Sequence, residues 1–150
     1  MSKPKQYNLR LSKINVLDYS YNEKHVANRD FDGIIKNLLI DTKTTIDIDE
    51  DKKIIKIKLK IEFRLKDLLE VFFEILVETS FELSPFDQIV QKNDSGNIFI
   101  TDDSITNTLL GLSFSTARGI VFERLRGSML QGVLLPVIDP KMLLSNNSNV

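Results

Sequence analysis

Ile55-Lys56-Ile57-Lys58-Leu59-Lys60-Ile61-Glu62-Phe63 alternates apolar and charged side chains without a break. Successive side chains of a strand point to opposite faces, so this run reads as a strand with one dry face and one wet face. On its N-terminal side Asp49, Glu50, Asp51 and Lys52 form a polar break that suits a hairpin turn. Ile46 and Ile48 alternate on the way in, which predicts a second strand. Further upstream Tyr7, Leu9 and Leu11 keep one phase, Ile14 and Val16 the opposite one, and Leu17, Tyr19 and Tyr21 switch back. A long strand with bulges produces that pattern. Residues 22–33 read as connection.

On the C-terminal side two periodicities compete over residues 65–83. Leu65, Leu68, Leu69, Phe72, Phe73 and Leu76 fit helical spacing, whereas Val71, Phe73, Ile75, Val77, Phe81 and Leu83 fit a strand. A hairpin turning near Asp67 would set Lys60 opposite Glu74 and Lys56 opposite Glu78, each pair worth about 0.2–1 kcal/mol. That gain selects the strand. Residues 84–101, with Ser-Pro and Asn93 to Gly96, read as a loop or lid carrying a short Ile98-Phe99-Ile100 ribbon. Asp102, Asp103 and Ser104 then cap the only long helix, which Arg124, Arg126 and Gly127 close. Residues 133–138 are apolar and extended. Asp139 and Pro140 open a short helix over Lys141 to Leu144, and residues 145–150 are expected to form a disordered tail.

Composition removes many functions. The chain has 150 residues, 42% of them hydrophobic, no cysteine and one histidine, His25. A chain of this size buries about 68–70% of its unfolded surface, enough for one domain over residues 1–150 without staples. Lack of cysteine excludes disulfides, thiolate chemistry and iron–sulfur clusters, and suits a reducing compartment. The N-terminus lacks the apolar core of a signal peptide, and no run approaches the ~18 apolar residues of a membrane span. A cytoplasmic protein without membrane insertion is expected. The net charge of −1 speaks against nucleic acid as a general partner. It hides an asymmetry: thirteen bases against nine acids up to residue 60 (+4), three against ten over 61–103 (−7), and four against two beyond (+2).

Catalytic patterns are missing. His25 sits in a polar stretch with Glu23, Lys24 and Arg29, and the sequence has no G-x-S-x-G, H-E-x-x-H, Walker loop or G-x-G-x-x-G. The acids from Asp47 to Asp51 lack the glycine and terminal glutamate of a calcium loop. No catalytic residue, metal or cofactor is expected. Glu70, Glu74, Glu78 and Glu82 recur every four residues, and on a strand they share a face with Phe72 and Leu76. Apolar groups rimmed by acids read either as a partner's docking site or as scattered exposed hydrophobes. Gly111, Ser115 and Gly119 form a stripe of small residues on the long helix, with Thr108 three residues before it. Contact with another copy and packing within the chain both account for it. Phe81, Phe86 and Phe99 around the lid, with Leu134, Leu135, Ile138, Met142, Leu143 and Leu144, exceed what one helix and one sheet need. They line a groove for extended polypeptide or complete an ordinary core.

Thr116 to Pro140, T-A-R-G-I-V-F-E-R-L-R-G-S-M-L-Q-G-V-L-L-P-V-I-D-P, resembles the SecB-type protein-export chaperones. In that family a long helix with an Ala-Arg pair ends in Arg-Gly-Thr, and an extended segment leads to Leu-x-Pro-Val. Ala117 and Arg118, Arg126 and Gly127, and Leu134, Pro136 and Val137 occupy those places. Leu38-Leu39-Ile40-Asp41-Thr42 is similar to the family's Leu-x-Leu-Asp-Thr strand, and Phe81-x-Leu83 follows in order. The chain departs in ending its last helix near Leu144, in lacking the family's zinc-seeking or acidic tail, and in having Ser115-Thr116 in place of Pro-Tyr.

The resemblance implies an α+β protomer: a four-stranded antiparallel sheet with one long helix and a short C-terminal helix on one side, assembled as a dimer of dimers. It implies ATP-independent holding of unfolded preproteins and hand-over to the motor SecA. Client contacts would involve Leu38, Ile40 and Leu143, and SecA would dock through Asp18, Phe72 and Glu74. Combined with the apolar surplus, the expected client groove is lined by Leu38, Ile40, Phe81, Phe86, Phe99, Leu134 and Leu143, with Gly111, Ser115 and Gly119 as oligomer contacts. A second expectation is a dedicated protein- or ligand-binding module of the same fold, including a chaperone attached to a toxin–antitoxin system.

Overall fold

Ile55, Ile57, Leu59, Ile61 and Phe63 are each at most 1% exposed in the computed structural model, which describes residues 6–145. They lie on strand β3, Ile54–Leu65, and the intervening Lys56, Lys58, Lys60 and Glu62 lie on its open face. Full burial of each such apolar side chain stabilises the fold by about 1.5–3 kcal/mol. β3 therefore decides which side of the sheet the helix must cover. The sheet adds β1, Asn8–Tyr21, β2, Leu38–Asp49, and β4, Leu68–Ser84, in the order β1-β4-β3-β2, antiparallel throughout. β1 and β2 are its two edges.

The phase changes along β1 come from two bulges, between Leu11 and Lys13 and between Val16 and Asp18. Each inserts one unpaired residue and so restores the face. Leu9, Leu11, Ile14, Val16, Tyr19 and Tyr21 consequently pair with Leu83, Phe81, Thr79, Val77, Ile75 and Phe73 of β4, all on the helix side. β4 is a strand as expected, but the directly opposed Lys60–Glu74 and Lys56–Glu78 pairs that selected it do not form, because its register differs from the expected one. Lys60 faces Leu76, Lys58 faces Glu78 and Lys56 faces Ser80. The cause is extra residues in β4: the ladder jumps from Leu68 to Val71 and again from Val71 to Phe73. Lys60 still reaches Glu74 diagonally at 3.5 Å and Glu62 at 3.0 Å, and the Glu62 hydrogen bond raises its pKa.

The stretch expected to be plain connection contains a single 3-10 turn, Glu23–His25, and helix α1, Phe31–Asn37. Asp30 caps α1 by accepting from the Gly33 N–H at 3.1 Å, yet only Ile34 of this helix is buried. A seven-residue helix with an internal glycine and one core contact leaves almost no periodic signal. The segment is held by Arg29 on Asp67 at 2.6 Å and His25 on Glu70 at 3.3 Å. The Arg29 hydrogen bond holds the Asp67 carboxyl below its usual pKa.

After β4 come a one-turn helix α2, Phe86–Ile89, and the two-stranded ribbon of β5, Val90–Lys92, and β6, Ile98–Ile100. Helix α3, Asp103–Arg124, is capped by Asp102, whose carboxylate accepts from the Ser104 N–H at 2.9 Å. Ile105, Leu109, Ser113, Ala117 and Val121 recur every four residues and are buried against β3 and β4. Ser113 and Ala117 are the small residues that let α3 approach the sheet, and the Ser113 and Thr79 hydroxyls meet at 2.7 Å. Helix α4, Pro140–Ser145, packs on α3 and β2, with Asp139 accepting from the Lys141 N–H. The fold is thus α+β, with the long and short helices against one side of a four-stranded antiparallel sheet. Ser145, expected to begin the tail, is the last residue of α4, and the rest of the expected tail lies outside the described residues.

Tyr21, at the end of β1, has its pKa pushed up to about 12, first by burial and then by the Glu23 carboxylate its hydroxyl donates to at 3.4 Å. The folded chain therefore holds this proton more firmly than the unfolded chain, whose value is 10.0. The resulting stabilisation is complete below pH 10 and is lost as pH rises through about 12. An ultraviolet titration should show a tyrosinate signal growing in near pH 12. Tyr21→Phe should abolish that signal and flatten the loss of stability over the same window.

Candidate functional site

The helix layer is narrower than the sheet. α3 lies over β3 and β4, and α4 covers part of β2, so β1 carries its helix-side residues into the open. Leu11, Ile14 and Val16 are 38%, 46% and 36% exposed, although their partners Phe81, Thr79 and Val77 are at most 1% exposed. One flank of α3 bounds this strip. Phe114 and Arg118 face α4, where they line a small cavity with Ile138 and Leu143. At 100° per residue, Leu112 and Thr116 project from the other flank, toward β1. The Arg124 guanidinium closes one end of the strip, 4.9 Å above the Tyr19 ring. β1 is also an edge strand, so a row of its backbone groups faces outward beside the exposed apolar side chains.

The expected client groove is only partly assembled. Phe81 is 0%, Phe86 6% and Leu143 1% exposed, so these three belong to the core. Phe81 lies under the helix layer, Phe86 is the first residue of α2 against β4, and Leu143 fixes α4 to α3. Leu38 and Ile40 are half-buried on the helix side of β2. Phe99 on β6 and Leu134 in the extended segment are exposed, and so are the nearby chain positions Val137 and Met142.

The expected docking face needs one correction. Asp18 is exposed and Glu74 half-exposed on the open face of the sheet, but Phe72 is 2% exposed. As an extra residue of the β4 bulge, Phe72 turns its ring to the helix side and meets Phe63 edge-on at 6.3 Å. Leu76, directly opposite Asp18, is the apolar group that shares the open face with these acids. Along the helix stripe, a Cβ on Gly111 would stand 3.5 Å from Pro140, so α4 occupies that position. Ser115 is exposed, and a Cβ on Gly119 would meet nothing within 4 Å.

Sequence reasoning missed Leu11, Ile14, Val16 and Leu112 as surface residues. The phase changes in β1 were the available signal, but exposure depends on β1 being an edge that α3 meets only at the Tyr19 end. Among the described residues no group of three or more metal-ligating side chains gathers, and no helix is long and apolar enough to cross a membrane. No protein-family model matches the chain, and no curated protein matches it.

Proposed function

We propose that the protein is an ATP-independent holding chaperone that works as a homo-oligomer and grips extended, non-native polypeptide without performing chemistry. The observation that carries this reading is the uncovered helix-side strip of β1, where Leu11, Ile14 and Val16 lie beside an open sheet edge. Apolar surface next to unpaired backbone suits another polypeptide, which can add a strand and bury side chains together. In this reading a second copy covers β1 and the exposed outer face of α3 at Ser115 and Gly119. The half-buried Leu38 and Ile40, with Phe99 and Leu134, grip the client. The SecB resemblance supports the assignment, with unfolded preproteins in the cytoplasm as clients and SecA as receiving partner; of the docking positions it implies, Asp18 and Glu74 lie on the open face, where Leu76 stands in for the buried Phe72.

Two measurements test it together. Light scattering should give the mass of a dimer of dimers, and the folded protein should suppress aggregation of a denatured test protein near one oligomer per client. A monomer that leaves aggregation unchanged at excess would overturn the proposal. The enclosure of Phe81, Phe86 and Leu143 favours a second reading, a module dedicated to one partner, because it removes part of the general groove. Saturable binding of one sequence with indifference to unrelated unfolded chains would select that reading.

A further inference from the structure

The β2–β3 turn sorts its charges to two sides. Asp49, Glu50 and Asp51 line one cavity with Lys92, whose ammonium lies 3.2 Å from Glu50. Lys52 and Lys53 instead line a separate cavity of about 390 Å³, where the start of β1 and the end of β4 meet the turn. Arg10 adds a third cation there, and Asn8 and Ser84 add neutral hydrogen-bond donors. Glu82 is the one acid of the lining, and it is held by Arg10 at 3.1 Å. Among the described residues Lys53 pairs only with Asp87, outside the lining, at a long 3.9 Å with both side chains largely exposed. The remaining walls are apolar: half-buried Leu9 and buried Leu83.

The backbone gives a second, independent observation. Lys53 has φ of 55°, the only positive φ among the non-glycine residues described. Glycine or asparagine would take that conformation at lower cost, and strained non-glycine residues concentrate at binding sites. Lysine stands at the one position of the turn where its side chain was least expected on conformational grounds.

We propose that this cavity binds a small organic phosphate, its anionic group held by Lys52, Lys53 and Arg10 and its apolar body resting on Leu9 and Leu83. The excess of cations over Glu82 sets the charge of the ligand, and charge-assisted hydrogen bonds supply its orientation. Its volume lies in the usual range for small-molecule sites. The site is independent of the β1 strip, whose exposed residues begin beyond it at Leu11.

Titration of isotope-labelled protein with phenyl phosphate tests the proposal, with inorganic phosphate as comparison. Saturable shifts are expected at the amides of Leu9, Lys53, Leu83 and Ser84, with phenyl phosphate bound about tenfold tighter than inorganic phosphate because it alone covers the two leucines. Lys53→Gly relieves the backbone and should keep or raise the melting temperature while weakening phenyl phosphate about tenfold. Lys52→Ala should weaken it similarly. Shifts that never saturate, equal affinity for the two probes, or unchanged affinity in both variants would overturn the assignment.

Discussion

Phe73→Ala is expected to lower the free energy of unfolding by about 4–5 kcal/mol, a large share of the ~5–15 kcal/mol that holds a domain of this kind. Phe73 is 0% exposed, stacks on Phe63 with ring centroids 4.5 Å apart, and receives the edges of Tyr19 at 5.8 Å and Tyr21 at 6.3 Å. One ring thus ties β3, β4 and β1 together at the end of the sheet where the bulge sits. Truncation removes the transfer energy of the ring, leaves a cavity that flanking strands cannot close, and deletes three aromatic contacts. Phe73→Leu keeps most of the volume and should cost about 1–1.5 kcal/mol. Urea unfolding separates the two: with a slope of about 2 kcal/mol/M, the alanine variant should melt roughly 2 M earlier than the parent. An alanine cost near that of the leucine variant would mean the sheet end is held by other contacts.

The same bulge explains how far the sequence could be read. β3 was legible because a strict period of two with lysine on one face leaves no alternative, and the capped helix α3 was legible from Asp102 to Arg124 for the same kind of reason. β4 was legible as a strand but not in register, since a bulge is a backbone event with no residue type of its own at Leu69, Glu70 or Phe72. The two successive irregularities moved Phe72 from the open face into the core and shifted every Lys and Glu pairing by two. Small residues on α3 divide in a way that composition does not show. Of the stripe Gly111, Ser115 and Gly119, Gly111 packs on Pro140 of α4, while a second set, Ser113 and Ala117, faces the sheet. Apolar content was counted correctly, but a sequence does not say which hydrophobes a neighbour will cover. Phe81 is enclosed under the helix layer, and Phe86 and Leu143 are enclosed where α2 meets β4 and α4 meets α3, while Leu11, Ile14 and Val16 stay open because, among the described residues, the helix layer touches β1 only near Tyr19.

Ile14→Asp with Val16→Asp is expected to leave the protomer folded and to abolish both self-association and the holding of non-native chains that depends on it. The two side chains are 46% and 36% exposed, so the isolated chain loses little burial, and substitutions at such positions typically change stability by about 0.5 kcal/mol or less each. In an assembly that covers β1 the same positions would be closed off, and each new carboxylate would be buried without a partner. A penalty of about 4 kcal/mol for the pair corresponds to a thousandfold weaker association. Leu69→Asp is the matched control: it makes the same apolar-to-acid change at an 81% exposed position in the β3–β4 hairpin, away from β1, and should keep the parent mass and activity. Sedimentation should therefore give one chain for the double variant and the oligomer for the control, with aggregation of the test protein suppressed by the control only. If the double variant keeps the oligomer mass, the β1 strip is not the contact between copies. If it becomes a monomer and still suppresses aggregation, the grip on clients belongs to the protomer, and the strip serves assembly alone.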